Sequence, residues 1–223
     1  MKRSISILSC IALIAVSVIY SGCKKESPDT TGPVVTVNGL QTCYLQKGRL
    51  YVDGDATAMD EVDGTCKVTS SIDVNPSVIG TYTITYTSTD KSGNTGTATR
   101  TVYVVDVEGV YTNALYYHHY PLQYASDTTR FSDQLFLSLD MTGQLNYLLF
   151  CGYSSGFAYS YLTSGTSISI PQQTINCGSP SIDRVFTGSG SISNINAPRT
   201  KITLNFTEVS DSTYHSRIIY IKD

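Results

Sequence analysis

The side chains of this chain best suited to chemistry are its tyrosines, a run of carboxylates, three histidines and six cysteines. Tyr111, Tyr116, Tyr117, Tyr120 and Tyr124 fall close together, and Tyr147, Tyr153, Tyr159 and Tyr161 follow. A tyrosine ring offers a flat apolar face and a hydroxyl, so it can stack on a sugar and hydrogen-bond to it. Tyr116, Tyr117, Tyr120, Tyr153 and Tyr159 are therefore the candidate ligand-binding residues. The other reading of the same rings is a filled core with hydroxyls reaching its rim, and the absence of Trp weighs against sugar binding. Asp53, Asp55, Asp60, Glu61 and Asp63 could supply oxygens to Ca²⁺, although their spacing is not that of an EF-hand and turn capping is the ordinary use of such residues. His118 and His119 are adjacent and would point to opposite faces of a strand, while His215 lies far along the chain. None of them has a Cys or Glu at metal-ligand spacing, so no metal site is assigned. No nucleophile elbow, P-loop or His-Glu-x-x-His occurs, so no catalytic residue and no cofactor is assigned and the chain reads as a non-enzyme. Gly188-Ser-Gly190 reads as a bulge in a strand rather than a phosphate cradle.

The N-terminus carries a separate chemistry. Met1-Lys2-Arg3 precedes an apolar run from Ile5 to Tyr20 and then Ser21-Gly22-Cys23. A basic start, a short apolar stretch and small residues compose a secretory signal, and the run is shorter than the roughly 20 residues a spanning helix needs. Ser-Gly-Cys resembles the lipobox of bacterial lipoproteins. That resemblance implies cleavage after residue 22, acylation of Cys23 and membrane attachment through lipid. Residues 24–33 hold two prolines among polar residues and read as a flexible tether. Lys24 resembles the pattern that permits onward transport to the outer membrane, on its periplasmic or exterior face. With Cys10 lost and Cys23 lipidated, Cys43, Cys66, Cys151 and Cys177 remain, and export permits disulfides. Of three possible pairings, the nearest-neighbour one, Cys43–Cys66 and Cys151–Cys177, gives each half a bridge worth about 3–4 kcal/mol. Buried free thiols are the alternative.

The whole chain carries 15 basic and 18 acidic side chains. Losing Lys2 and Arg3 with the signal leaves 13 against 18. A mildly acidic chain without basic clusters is a poor partner for nucleic acid. Many tyrosines and threonines and no long helical period favour an all-β protein. Thr81–Thr87 alternates strictly, with Tyr82, Ile84 and Tyr86 on one face. Asp90-Lys91-Ser92-Gly93-Asn94 is a turn, and Thr97–Val105 returns with Ala98, Val102 and Val104 on one face. Val34–Val37, Thr42–Gln46 and Lys67–Ser70 complete a small sandwich. Beyond residue 106, strands are expected at Gln134–Leu139, Gln144–Phe150, Ala158–Leu162, Ser167–Ile170, Val185–Ser193, Lys201–Phe206 and Arg217–Ile221. Such a meander closes into a small antiparallel barrel or forms a sandwich.

Gly-Pro-Val-Val-Thr-Val-Asn-Gly from Gly32, Asp60-Glu-Val-Asp-Gly64, Val78–Tyr86, Thr89–Thr95 and Thr99–Val102 carry a resemblance over residues 33–106. They are similar to the bacterial Ig-like domain first described in a pesticidal crystal protein and related to the HYR repeat. Such domains imply a spacer or adhesion module. Phe186–Ile192 followed by Lys201–Phe206 resembles the C-terminal β-domain found behind it in Bacteroidetes surface lipoproteins, some encoded near glycan-uptake systems. The organisation expected is a signal peptide (1–22), a tether (23–32), an Ig-like β-sandwich (33–106) and a C-terminal antiparallel β-domain (107–223). The resemblance implies a lipid-anchored outer-membrane protein with a non-catalytic binding role, a glycan for an uptake partner being its ligand. The alternative is a structural or adhesion lipoprotein with no small ligand.

Overall fold

The computed structural model describes residues 27–117, 128–150, 157–177, 182–193, 199–209 and 215–222. Residues 34–105 form two sheets. β1 (Val34–Val37), β3 (Ala56–Asp60) and β4 (Gly64–Cys66) make one, in the order β1-β3-β4. β2 (Thr42–Gln46), β5 (Val68–Ser71), β6 (Gly80–Thr89) and β7 (Thr95–Val105) make the other, in the order β2-β7-β6-β5. β6 and β7 pair antiparallel along their length, from Gly80↔Val104 to Thr89↔Thr95. Their hairpin turns because Gly93 takes a φ of 91° and the Asp90 carboxylate accepts the Asn94 N–H at 2.8 Å. β2 runs parallel to β7, Thr42 opposite Thr101. Alternation along β6 and β7 sends Ile84, Tyr86, Val102 and Val104 into a core shared with Cys43, Leu45 and Ala56, while the intervening threonines face outward.

The chain then builds a closed eight-stranded barrel from β8 (Gly109–Tyr117), β9 (Thr128–Leu137), β10 (Gln144–Tyr147), β11 (Ala158–Leu162), β12 (Ser167–Cys177), β13 (Ile182–Ser193), β14 (Lys201–Glu208) and β15 (His215–Ile221). Each strand pairs antiparallel with the next, and β15 closes on β8 through Ile218↔Tyr116. Of the two shapes left open by the sequence, the barrel is the one adopted. Side chains fill it: Leu135, Leu145, Ile202, Leu204 and Ile218 are fully buried with Tyr111, Tyr147 and Tyr220. Eight strands enclose a space just wide enough for such filling. The outer wall is mostly Ser, Thr, Asn, Gln and charged residues, the reverse of a membrane-spanning barrel with its apolar outer band.

Several strands differ from expectation. β3 and β4 flank the acidic turn, where polar composition hides them. β8 falls in the tyrosine cluster. Leu139 does not share the inner face of Leu135 and Leu137, because β9 ends at Leu137 and Leu139 stands 81% exposed in the hairpin. Bulges lie on β12 between Ile170 and Gln173 and on β8 between Tyr111 and Ala114, not at Gly188 or Gly190. Those glycines admit close strand approach: a Cβ on Gly188 would sit 2.2 Å from the Asn205 carbonyl oxygen. Past the β12 bulge, the buried Gln173 amide continues the ladder, accepting from Tyr159 N–H at 3.0 Å and donating to Tyr159 C=O at 2.7 Å.

Sandwich and barrel interlock. Tyr44 of β2 belongs to the barrel core and stacks on Tyr103, centroids 5.2 Å apart, while Met141 of the β9–β10 hairpin packs on the sandwich core. Tyr44 N–H donates to the Met141 carbonyl at 2.9 Å. Gly143, at φ 84°, admits the Tyr44 ring, whose Cδ2 would lie 2.5 Å from a Cβ there. Gln46 Oε1 accepts the N–H groups of Val107 and Glu108 at 3.0 and 3.1 Å. Glu108 pairs with Arg49 and accepts Leu137 N–H at 2.8 Å. At the other end of β7, Gly32 and Pro33 lie against Thr95 and Gly96. β7 has 11 residues, so roughly 35 Å of strand separates that end from the barrel.

Candidate functional site

The structure divides the tyrosine candidates. Tyr116 is 8% exposed, stacks on Phe206 at 6.1 Å and 13°, and brings its hydroxyl 3.4 Å from Ser216 Oγ. It is a core residue, which corrects the expectation of a solvent-facing ring: a bulge in β8 between Tyr111 and Ala114 shifts the alternation, and the inward register carries Tyr111, Ala114 and Tyr116. Tyr111 donates to the Val107 carbonyl at 2.7 Å and Tyr147 shares a 2.8 Å hydrogen bond with Ser160. Burial drives the pKa of both phenols well above their usual value. Tyr117 is half-buried at the end of β8. Tyr120 and Tyr153 lie outside the described residues.

Among the described candidates Tyr159 alone stands well within the outer wall, and it has company that sequence reasoning did not group with it. On β11, Tyr159 and Tyr161 meet edge to face, centroids 5.8 Å apart and planes at 79°. The register places Gln144 opposite Tyr161 and Asn146 between Tyr159 and Phe136 of β9. Phe136 is 39% and Tyr161 36% exposed. The Gln144 amide donates to Asn146 Oδ1 at 2.8 Å, and Tyr161 O–H donates to Gln144 Oε1 at 3.4 Å. The signal available in sequence was the two-residue spacing Phe136/Gln134, Gln144/Asn146 and Tyr159/Tyr161, which puts each pair on one face. Knowing that these faces adjoin requires the register.

The carboxylates near residue 60 do turn and core chemistry. Asp60 accepts the N–H groups of Val62 and Asp63 at 2.9 Å. Asp63 pairs with Lys91 at 3.1 Å across to the β6–β7 turn, and the Lys91 N–H and ammonium hold its carboxyl below the usual range. Asp53 turns inward to the buried Arg100, which also donates to the carbonyls of Leu40 (2.9 Å) and Asn38. Asp53 accepts the hydroxyls of Tyr51 and Tyr86, each at 2.8 Å. Burial pushes the Asp53 carboxyl up, but these hydroxyls, the Asp55 N–H and the Arg100 charge outweigh it and hold the pKa below normal. His118 and His119 lie outside the described residues; His215 is exposed and bonds Thr207 Oγ1 at 3.0 Å.

The cysteine pairing Cys43–Cys66 is not made; both thiols are free. Cys43 is on β2 and Cys66 on β4, in different sheets. Each sulfur turns to its own local backbone, Cys43 to the Leu40 carbonyl at 3.7 Å and Cys66 to Gly64 at 3.6 Å. Chain distance suggested a bridge, but the sandwich core claims Cys43. Cys151 lies outside the described residues, so the Cys151–Cys177 bridge is not addressed.

The family profile described as bacterial surface protein, Ig-like domain, matches residues 35–104. No curated protein sequence matches the chain. Similar solved structures include a lipoprotein from Bacteroides thetaiotaomicron, at 18% identity and a TM-score of 0.32, covering 86% of this chain and 100% of that one. Another is a protein described as an outer membrane protein from Bacteroides fragilis, at 14% identity and a TM-score of 0.29, covering 75% and 82%. The matched residues coincide with the two-sheet sandwich that precedes the barrel, so residues 35–104 form an Ig-like domain similar to those of bacterial surface proteins.

Proposed function

We propose that this is a lipid-anchored protein of the outer membrane, acylated at Cys23, in which the Ig-like domain holds the barrel away from the anchor for a non-catalytic binding role. The observation that carries this reading is polarity. Gly32, where the tether meets the sandwich, lies against the start of β7, and the barrel follows its far end. Tyr44, Met141, Gln46 and Glu108 tie the sandwich to the barrel. A polar outer wall keeps the barrel in water, so attachment falls to the acyl chains, each buried methylene contributing about 0.8 kcal/mol. The ligand we favour is a glycan handed to an uptake partner, held on the barrel's outer surface because its interior is filled. The same filling also fits a purely structural or adhesive lipoprotein without a small ligand. The anchor is tested by palmitate labelling and membrane fractionation of the full-length protein and of Cys23→Ala. Labelled, membrane-bound wild type with an unlabelled, uncleaved variant supports the reading. Normal labelling of Cys23→Ala overturns it.

A further inference from the structure

We propose that the outer wall of β9–β11 is a binding face for an uncharged glycan chain, with Tyr161 and Phe136 as stacking anchors and Gln144 and Asn146 as hydroxyl readers. This rests on the glycan reading above and gives it a location that the sequence candidates did not.

Three observations converge on that face. First, its aromatic rings are exposed and held. Tyr161 is set edge to face against Tyr159 at 79°, so the pair presents a floor and a wall at a right angle, suited to hold one pyranose ring by its face and edge. Phe136 lies two strands away across Asn146, roughly 10 Å from Tyr159 at the usual strand spacing, so a chain crossing the strands can meet both anchors. Second, the polar groups between the rings are amides. Gln144 and Asn146 are fixed to each other through a 2.8 Å hydrogen bond. Gln144 Oε1 also accepts the Tyr161 O–H and the Asn146 amide reaches the Phe136 carbonyl at 3.5 Å, but an amide has two donor hydrogens and a two-lone-pair oxygen, so each keeps a donor and an acceptor to spare, and this mixed set matches neighbouring sugar hydroxyls, which both donate and accept. Third, the face is electroneutral around the rings, the outward Arg130 of β9 standing six residues along the strand from Phe136. The outward residues of β10 and β11 are Gln144, Asn146, Tyr159 and Tyr161, whereas the wall around β13–β15 carries Arg184 paired with Glu208, together with Lys201 and Arg217. A charged ligand would find its complement on that other wall, so the neutral face selects a neutral polymer.

The test is affinity electrophoresis of the full-length protein in detergent through gels containing galactomannan, xyloglucan, laminarin or arabinan, with polygalacturonate as the anionic comparison. Wild type should be retarded by at least one neutral polysaccharide. Tyr161→Ala and Phe136→Ala should each weaken that affinity about tenfold or more, with unchanged melting temperatures. Tyr161→Phe, which keeps the ring, should retain most of it, and Val110→Ala, on the exposed face of β8, should behave as wild type. Retardation of wild type with no effect of either alanine variant overturns this face but leaves the glycan reading standing. Retardation by polygalacturonate alone overturns the neutral class. No retardation by any polysaccharide overturns both the face and the glycan reading. If an alanine variant melts lower, Gln144→Ala with Asn146→Ala decides, and unaltered binding by that pair overturns the amide role.

Discussion

Replacing Arg100 by methionine should be among the most damaging single changes in the Ig-like domain. Arg100 is 2% exposed and sits at the centre of its core. Its guanidinium meets Asp53, donates to the Leu40 and Asn38 carbonyls, and lies 5.6 Å from the centroid of the Tyr86 ring. Methionine conserves much of the volume, so the loss is electrostatic. Asp53 keeps two tyrosine hydroxyls but becomes a buried charge without a counter-ion, and two carbonyls lose their donor. Removing one partner of a buried pair costs about 3–5 kcal/mol. For a domain of this size each kcal/mol moves the melting temperature by about 4–8 °C, so the sandwich should melt roughly 12 °C or more below wild type. Arg100→Met combined with Asp53→Asn should be less unstable than the two single losses summed, because the orphaned charge is gone. The pH profile gives a second check. The folded carboxyl of Asp53 titrates below its unfolded value of about 3.9. Its contribution is therefore present above that value and lost as pH falls through the lower folded pKa. Scanning calorimetry of the single and double variants from pH 7 to pH 3 reads both effects. A single variant melting within a degree or two of wild type would refute the reasoning.

Three further outcomes are expected. Without reductant, iodoacetamide followed by peptide mapping should find Cys43 and Cys66 both alkylated, Cys66 faster because the core covers Cys43 while Cys66 is only half-buried; recovery of a Cys43–Cys66 crosslink would contradict the free thiols. Gly143→Ala should strain a φ of 84° and press the Tyr44 ring, costing about 1–3 kcal/mol and splitting one melting transition into two as sandwich and barrel uncouple; a single unshifted calorimetric peak would count against a tight junction. Asp133 is buried in the barrel, where burial raises its pKa despite the Leu149 N–H, the Tyr220 hydroxyl and the Gln134 N–H. A raised carboxyl binds more protons folded than unfolded, so its share of stability is present below the unfolded value and declines as pH rises through the folded one. Asp133→Asn should flatten that decline in urea melts, and an unaltered slope would show that another group sets it.

What the sequence by itself determined is set by local physics. Strict alternation in Thr81–Thr87 fixes which face is buried, because side chains on a strand repeat every two residues. Gly93 with Asp90 fixes the β6–β7 turn, because only certain residues accept that backbone. The segment 33–106 was legible as an Ig-like domain for the same reason: its strands and turns are written in short-range pattern. β3 and β4 were not, since a carboxylate-rich stretch looks the same whether it caps a loop or flanks a short strand. The tertiary structure alone decided where Tyr116 and Tyr159 go. Both are tyrosines on strands, yet one fills the barrel and the other lies on its outer wall, and the difference is register: Tyr116 is set by pairing of β8 with β15 and Tyr159 by pairing of β11 with β10. It also decided that Cys43 and Cys66 stand in different sheets, which chain separation cannot reveal. The aromatic–amide face exists only because β9, β10 and β11 lie side by side, bringing together residues up to 25 positions apart.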